Sequence, residues 1–448
     1  MKVLLAILFL VIFMNISTIA QMDVKFEQYN LDNGLTVILH EDHNAPVASV
    51  TVMYHVGSKN EKPKRTGFAH LFEHMMFQGS QHVGDNEHFK LLQEVGANVN
   101  GFTQQDGTTY FEVLPSNFVE LGLYLESDRM GFLLSAMTQD KLDNQRDVVK
   151  NERRQNYENR PYGLADEKIS KALYPETHPY NWPVIGFMED LSAASLDDVK
   201  DFFKTYYAPN NACLVVAGDI NPADVKPMIQ KYFGTIPKGN PFDRPQAVPV
   251  SLEKEVRIFY EDKVQLPRLN LTWHSAAGNT RDDAVMSVFS DILTNGKSSR
   301  FYKSLVYDKQ IAQNVRASQG GSEIAGEFQI QVTAKPEKTL TEMEKSIDEI
   351  LADIFKNDVT QSEIDKAITG TEVQVVNSVA TALGKGNALA ANYFLTGDAN
   401  NINRQMEFYK NITPQEVIEV AKKYLLQPKV VLSIVPLGKP ELAAKRGE

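Results

Sequence analysis

The sequence predicts an α+β fold in two homologous halves. Three observations carry this. The chain has 448 residues, more than one ordinary core organises. β-rich runs and helical runs both recur along it. A pattern also repeats: Ser195, Val199, Tyr206 and Leu214–Val216 match Thr413, Val417, Tyr424 and Val431–Val435 in order and nearly in spacing. Between the copies, residues 236–250 are punctuated by Pro237, Pro241, Pro245 and Pro249 and read as a linker. The expected units are 1–20, 21–235, 236–250 and 251–448.

Residues 1–20 read as a secretory signal. Lys2 is the basic start, Val3–Met14 the apolar run, and Thr18-Ile19-Ala20 a small-residue cleavage site. An uncleaved anchor is the alternative, and the apolar run is short for a span. No later segment is apolar enough to cross a bilayer. With 43% hydrophobic and 23% charged residues the rest is ordinary globular material. A net charge of −11 argues against nucleic acid or anionic lipid as a partner. The single cysteine, Cys213, lies in the apolar run 212–216, so it reads as a buried strand residue and no internal disulfide can form. Export without disulfides suits a bacterial periplasm.

Leu35–Leu39 and Ala48–Val52 read as strands, with the Asp32-Asn33-Gly34 turn ahead of the first. His40, His43 and His55 flank or sit in them and read as strand-end histidines without a metal role. A helix is expected over 62–78. It holds His70-Leu71-Phe72-Glu73-His74, two histidines four apart on one face. That spacing lets both imidazoles reach one tetrahedral zinc, and Glu73 could take a proton from a metal-bound water. The surrounding run is apolar, so these polar groups need partners.

Asp85 is expected to cap a helix ending at Gly96, with His82 and His88 exposed. Residues 98–103 and 108–114 read as two strands joined by a polar turn. They form either an ordinary hairpin or an edge strand that pairs with an extended peptide. Helices follow over 117–134 and 138–158. In the second, Gln145, Val148, Val149, Glu152 and Asn156 fall on one stripe. Glu152 is then either a third metal ligand or the partner of Arg153 or Arg154. His178 lies in a turn-rich stretch. Helices over 196–207 and 222–233 flank the strand that ends at Asp219. The second half holds one histidine, His274, and cannot rebuild the motif.

The His70-x-x-Glu73-His74 motif, with Glu152 in Arg146-Asp-Val-Val-Lys-Asn-Glu152-Arg153, resembles the insulinase/pitrilysin family of zinc metallopeptidases. The nearest resemblance is to the branch of mitochondrial processing peptidase and its bacterial relatives. It implies two α/β-sandwich halves with antiparallel-rich sheets, closing as a clamshell with one catalytic and one inactive half. It implies His70, His74 and Glu152 as ligands of one zinc and Glu73 as general base. It also implies substrate binding along Asn100-Gly101-Phe102-Thr103, similar to the family's Asn-Ala-x-Thr. There are two departures. Gln145 stands where many relatives carry a second Glu. Val306 and Gln313 stand where many carry an Arg and a Tyr that bind substrate.

The expected function is therefore a zinc metalloendopeptidase for peptides or unfolded polypeptides. The Arg/Tyr pair would come from a paralogous subunit; a homodimer is the alternative assembly. The rival readings are a zinc-binding scaffold subunit and a non-peptidase zinc hydrolase.

Overall fold

The computed structural model describes residues 22–246 and 250–445; the expected signal segment 1–20 lies outside them. The first half runs β1 (Glu27–Asn30), β2 (Thr36–Glu41), β3 (Val47–Tyr54), α1 (Phe68–Met75), α2 (Glu87–Glu94), β4 (Asn98–Thr103), β5 (Thr108–Pro115), α3 (Val119–Phe132), α4 (Gln139–Arg153), α5 (Ala165–Leu173), α6 (Met188–Ala193), α7 (Leu196–Tyr206), β6 (Ala212–Gly218) and α8 (Pro222–Phe233). The second runs β7 (Val256–Asp262), β8 (Arg268–Ser275), α9 (Arg281–Thr294), β9 (Ala312–Gly321), β10 (Gly326–Ala334), α10 (Leu340–Asn357), α11 (Gln361–Ser378), α12 (Ala382–Thr396), α13 (Pro414–Leu425) and β11 (Val430–Pro436).

The two sheets share one topology. The first has order β1-β2-β6-β3-β5-β4 and the second β7-β11-β8-β10-β9. In each, one late strand inserts parallel to the first long strand, β6 beside β2 and β11 beside β7, while the other pairs are antiparallel. The sequence repeat is the helix that feeds this inserted strand. Ser195 caps α7 by accepting from the Asp198 N–H, and Thr413 caps α13 by accepting from the Glu416 N–H.

Strand alternation sends side chains to two different cores. Val37, Leu39, Val50, Val52, Leu214 and Val216 pack with Phe72 and Leu71 of α1 and the helices of the first half. Ile38, Met53, Cys213 and Val215 point the other way, onto Leu389 and Ala390 of α12 from the second half. The loan is reciprocal, since Ala165 and Ile169 of α5 pack on Leu432 and Ile434 of β11. Gly386 allows the close approach of α12, because a Cβ there would lie 2.9 Å from Thr51 Oγ1. Cys213 is fully buried as expected, and burial pushes its thiol up.

The described part of the proline-punctuated stretch is tied to the first half. Asn33 donates to the carbonyls of Phe233 and Ile236, and Arg244 donates to Asn211 Oδ1 at 2.6 Å. Among the described residues, no helix is long and apolar enough to cross a membrane.

Candidate functional site

Helix α1 is shorter than the expected 62–78 because its entry is tightly built. Gly67 turns the chain at φ +82°, and a Cβ there would lie 2.6 Å from the Ile185 carbonyl oxygen. The first helical N–H groups need acceptors. Glu61, fully buried, accepts from the Gly67 N–H at 2.9 Å and the Ala69 N–H at 2.8 Å. Phe68, Leu71, Phe72 and Met75 bury the inner face of the helix, leaving His70, Glu73 and His74 towards the cleft.

Helix α4 packs beside α1 and begins at a Thr138 cap that accepts from the Lys141 N–H. Glu152, in its last turn, faces the histidines. Its Oε2 lies 3.8 Å from His70 Nε2 and 3.4 Å from His74 Nε2. Neither neighbouring arginine pairs with it. Arg153 donates to Glu167 and the Gly186 carbonyl, and Arg154 donates to Asn151. That removes the ion-pair alternative for Glu152.

The stripe that led to Glu152 holds only in part. Gln145 and Val149 are buried, but Val148 is 41% exposed and Asn156 lies in solvent on the π-helical turn Arg154–Glu158. The helix presents a narrower buried face than the spacing suggested. Gln145 donates to Asn144, not to a group of the site.

Ligand atoms of His70, His74 and Glu152 all lie within 4.8 Å of one another. Two imidazoles and a carboxylate are the donor set of a three-ligand zinc centre with an open fourth position. Among the described residues His70 Nδ1 is buried without a partner, and with the ring proton on Nδ1 its Nε2 is free to ligate. Burial, reinforced by the nearby His74, holds the His70 ring down to about 4 and thus neutral. The bond from His74, opposed by burial, holds the Glu152 carboxyl low. The residues fit a zinc ion.

Glu73 is tied to the adjacent strand. Thr103 Oγ1 donates to Glu73 Oε2 at 2.6 Å, while burial pushes the Glu73 carboxyl up. Thr103 ends β4, which among the described residues pairs only with β5 and is the sheet edge. Its outer backbone groups are available for a further strand. Gly101 sits close to the site, and a Cβ there would lie 3.0 Å from the Tyr110 ring and 3.4 Å from Glu73 Cγ. Asn100 accepts from the Gly101 N–H, and Phe102 packs against Phe111. Gln313 is exposed on β9, the counterpart edge, and Val306 is partly buried. Arg300 is engaged by Glu363 and Tyr307 is 73% exposed, so that pair does not stand in for the missing one.

Other histidines depart from or keep to expectation. His88 is buried, not exposed, because positions 88 and 92 share the face of α2 turned inwards. Asn86, not Asp85, precedes that helix. His88 meets Glu112 and Glu126 in a second buried cluster whose cation is Arg129, bonded to Glu126 and held over the Tyr110 ring at 4.4 Å. His178 stacks on Tyr174 inside the fold. His55 closes β3 and reaches across to the second half: its Nε2 donates to Glu323 at 2.7 Å. Lys59 pairs with the same Glu323 and with Asp106. This clasp joins the β9–β10 turn to the 104–107 turn of the β4–β5 hairpin. Sequence reading missed the clasp and Glu61. An acidic residue ahead of a helix start was the one signal for the latter.

Two family models match the chain: insulinase, peptidase family M16, over residues 36–181, and the M16 inactive domain over residues 193–371. Zinc protease PqqE of Helicobacter pylori is 27% identical over 408 residues, 89% of this chain and 90% of that protein. Mitochondrial-processing peptidase subunit beta of Lentinula edodes is 24% identical over 292 residues, covering 62% of this chain and 59% of that one. The crystal structure of a protease from Helicobacter pylori matches with a TM-score of 0.85 at 26% identity, over 92% of this chain and 99% of that chain.

Proposed function

The chain belongs to the insulinase family of peptidases, family M16, and on that premise we propose that it is a zinc-dependent metalloendopeptidase for peptides or unfolded polypeptides. One observation carries the reading. His70, His74 and Glu152 converge beside Glu73, and Glu73 is bonded to the sheet edge where an extended peptide would lie.

His70, His74 and Glu152 would hold one zinc per chain. Bound zinc supplies Lewis acidity and lowers the pKa of water enough for attack on a carbonyl near neutral pH. Glu73 takes the proton of the attacking water and returns it to the leaving amine. Thr103 fixes the carboxylate that does this. Asn100, Gly101, Phe102 and Thr103 align the substrate backbone by strand addition. Gln145 supports the ligand helix by packing, without the charge of a carboxylate.

Val306 and Gln313 leave this chain without the Arg/Tyr donors implied by the resemblance. Such donors commonly contribute a few kcal/mol to the transition state. We therefore assign the chain to a two-subunit enzyme, whose paralogous partner supplies these donors. Residues 1–20 direct export, and the periplasm is the proposed compartment.

The test is zinc content and cleavage of a quenched peptide library by the mature chain, alone and with a motif-less paralogue, beside Glu73→Gln. Cleavage lost in Glu73→Gln with zinc retained supports the reading. Absence of zinc overturns it. Full activity of the monomer overturns the two-subunit assignment alone.

A further inference from the structure

We infer that the cleft pocket beside the histidine pair is a subsite for a peptide carboxylate, so that the enzyme favours acidic substrates. This rests on the peptidase reading. The pocket is a cavity of about 680 Å³. Its walls include His70, Thr103 and Glu152, so whatever fills it lies against the proposed catalytic groups. Two guanidiniums also line it, Arg160 from the turn after α4 and Arg268 from the start of β8.

Among the described residues, neither guanidinium has a carboxylate within the 4.0 Å of a salt bridge. Arg268 is nonetheless held in place. Its Nε donates to Thr333 Oγ1 at 3.2 Å, and its guanidinium lies 3.5 Å from the centre of the Tyr162 ring. Tyr162 is itself fixed: its hydroxyl donates to the Leu266 carbonyl and its N–H to Asp262, both at 2.8 Å, with the backbone at φ +61°. A non-glycine residue in that region is strained, and strain of this kind clusters at ligand sites. With Nε used and one face stacked, the two terminal nitrogens of Arg268 remain for a ligand. Their fork matches a carboxylate.

The charge balance points the same way. Asp166 also lines the cavity, while Glu152 faces the histidine pair and its charge would be met by the zinc it is proposed to hold. Two guanidiniums against Asp166 leave one positive charge over. A basic substrate side chain would meet that excess; an acidic side chain or a free C-terminus would neutralise it.

The experiment uses the zinc-loaded enzyme and matched quenched peptides. Each carries Asp or Glu, Asn or Gln, or Lys around the cleaved bond, with a free or amidated C-terminus. The expected result is a kcat/KM about tenfold or more higher for the carboxylate peptides. That ratio should shrink with salt and fall towards one in Arg268→Gln and in Arg160→Gln. The free-acid and amide arms separate a side-chain carboxylate from a terminal one. Anisotropy binding of the same peptides to Glu73→Gln reads the preference without cleavage. Equal or basic preference, or a ratio that survives both arginine variants, overturns the subsite. Arg160 is exposed, so its variant keeps the test decisive if Arg268→Gln misfolds. No cleavage of any peptide, with acidic binding intact, would sink the peptidase reading and leave the subsite standing.

Discussion

Thr103 Oγ1 and Glu73 Oε2 are 2.6 Å apart, so the last residue of the edge strand steadies the carboxylate of the motif helix. On the proposed mechanism this one hydrogen bond would join substrate alignment to proton transfer. Thr103→Val keeps the shape and removes the donor. We expect kcat/KM to fall about tenfold, with zinc content unchanged. Thr103→Ser should recover most of the rate. Equal rates for Thr103→Val and the wild type would show that the bond is incidental.

The proposed ligands and the proposed base should separate cleanly in metal content. His74→Ala and Glu152→Ala should lose zinc by atomic emission. Glu73→Gln should keep it and lose turnover by about 10²-fold or more. Removing zinc with a chelator should also lower the melting temperature, since the site is assembled only in the folded chain.

The cap on α1 is a stability element under the site. Glu61→Ala leaves the Gly67 and Ala69 N–H groups buried without acceptors. We expect a loss of about 2 kcal/mol in urea unfolding and weaker zinc binding, because His70 lies in the first turn. An unchanged midpoint would mean another acceptor takes over.

The clasp between the halves predicts an acid-sensitive step. Burial pushes the Glu323 carboxyl up, but the bonds from His55 and Lys59 and the positive charge facing it outweigh burial and hold it down to about 2. Burial lowers the His55 ring itself, and its Nε2 donates to the carboxylate. A depressed carboxyl stabilises the fold above its unfolded pKa and loses that contribution as pH falls through the folded one. The window is therefore from about pH 4.5 down to about 2. Glu323→Gln should be less stable by about 2 kcal/mol at pH 6, discounted for partial exposure, and the gap should close towards pH 2. Urea midpoints across that range check it. A gap that persists at pH 2 contradicts the assignment.

The sequence carried a good deal of this. The inverted motif places His70, Glu73 and His74 on one helix face by spacing alone, and the repeat around Ser195 and Thr413 marks the inserted strand of each sheet. The edge position of β4 was open between two readings, because pairing partners are not written in a strand's own composition. Glu152 was found by a stripe that the structure only half keeps, since Val148 on the same arc faces solvent. His88 was misjudged because its neighbours are polar, whereas burial follows helical phase with Leu92. Nothing local reveals that α12 belongs under the first sheet. An amphipathic face says that a helix packs, not on which half.

That last point governs how the molecule comes apart. Ile38, Met53 and Val215 are covered by α12, and Leu432 and Ile434 by α5, so each sheet borrows a cover from the other end of the chain. A protease nick near residue 240 would cut the backbone and release nothing, and the two pieces would run as one particle on a sizing column. Either piece made by itself would carry a bare greasy sheet face and precipitate. Melting should accordingly show a single event, with neither half outliving the other.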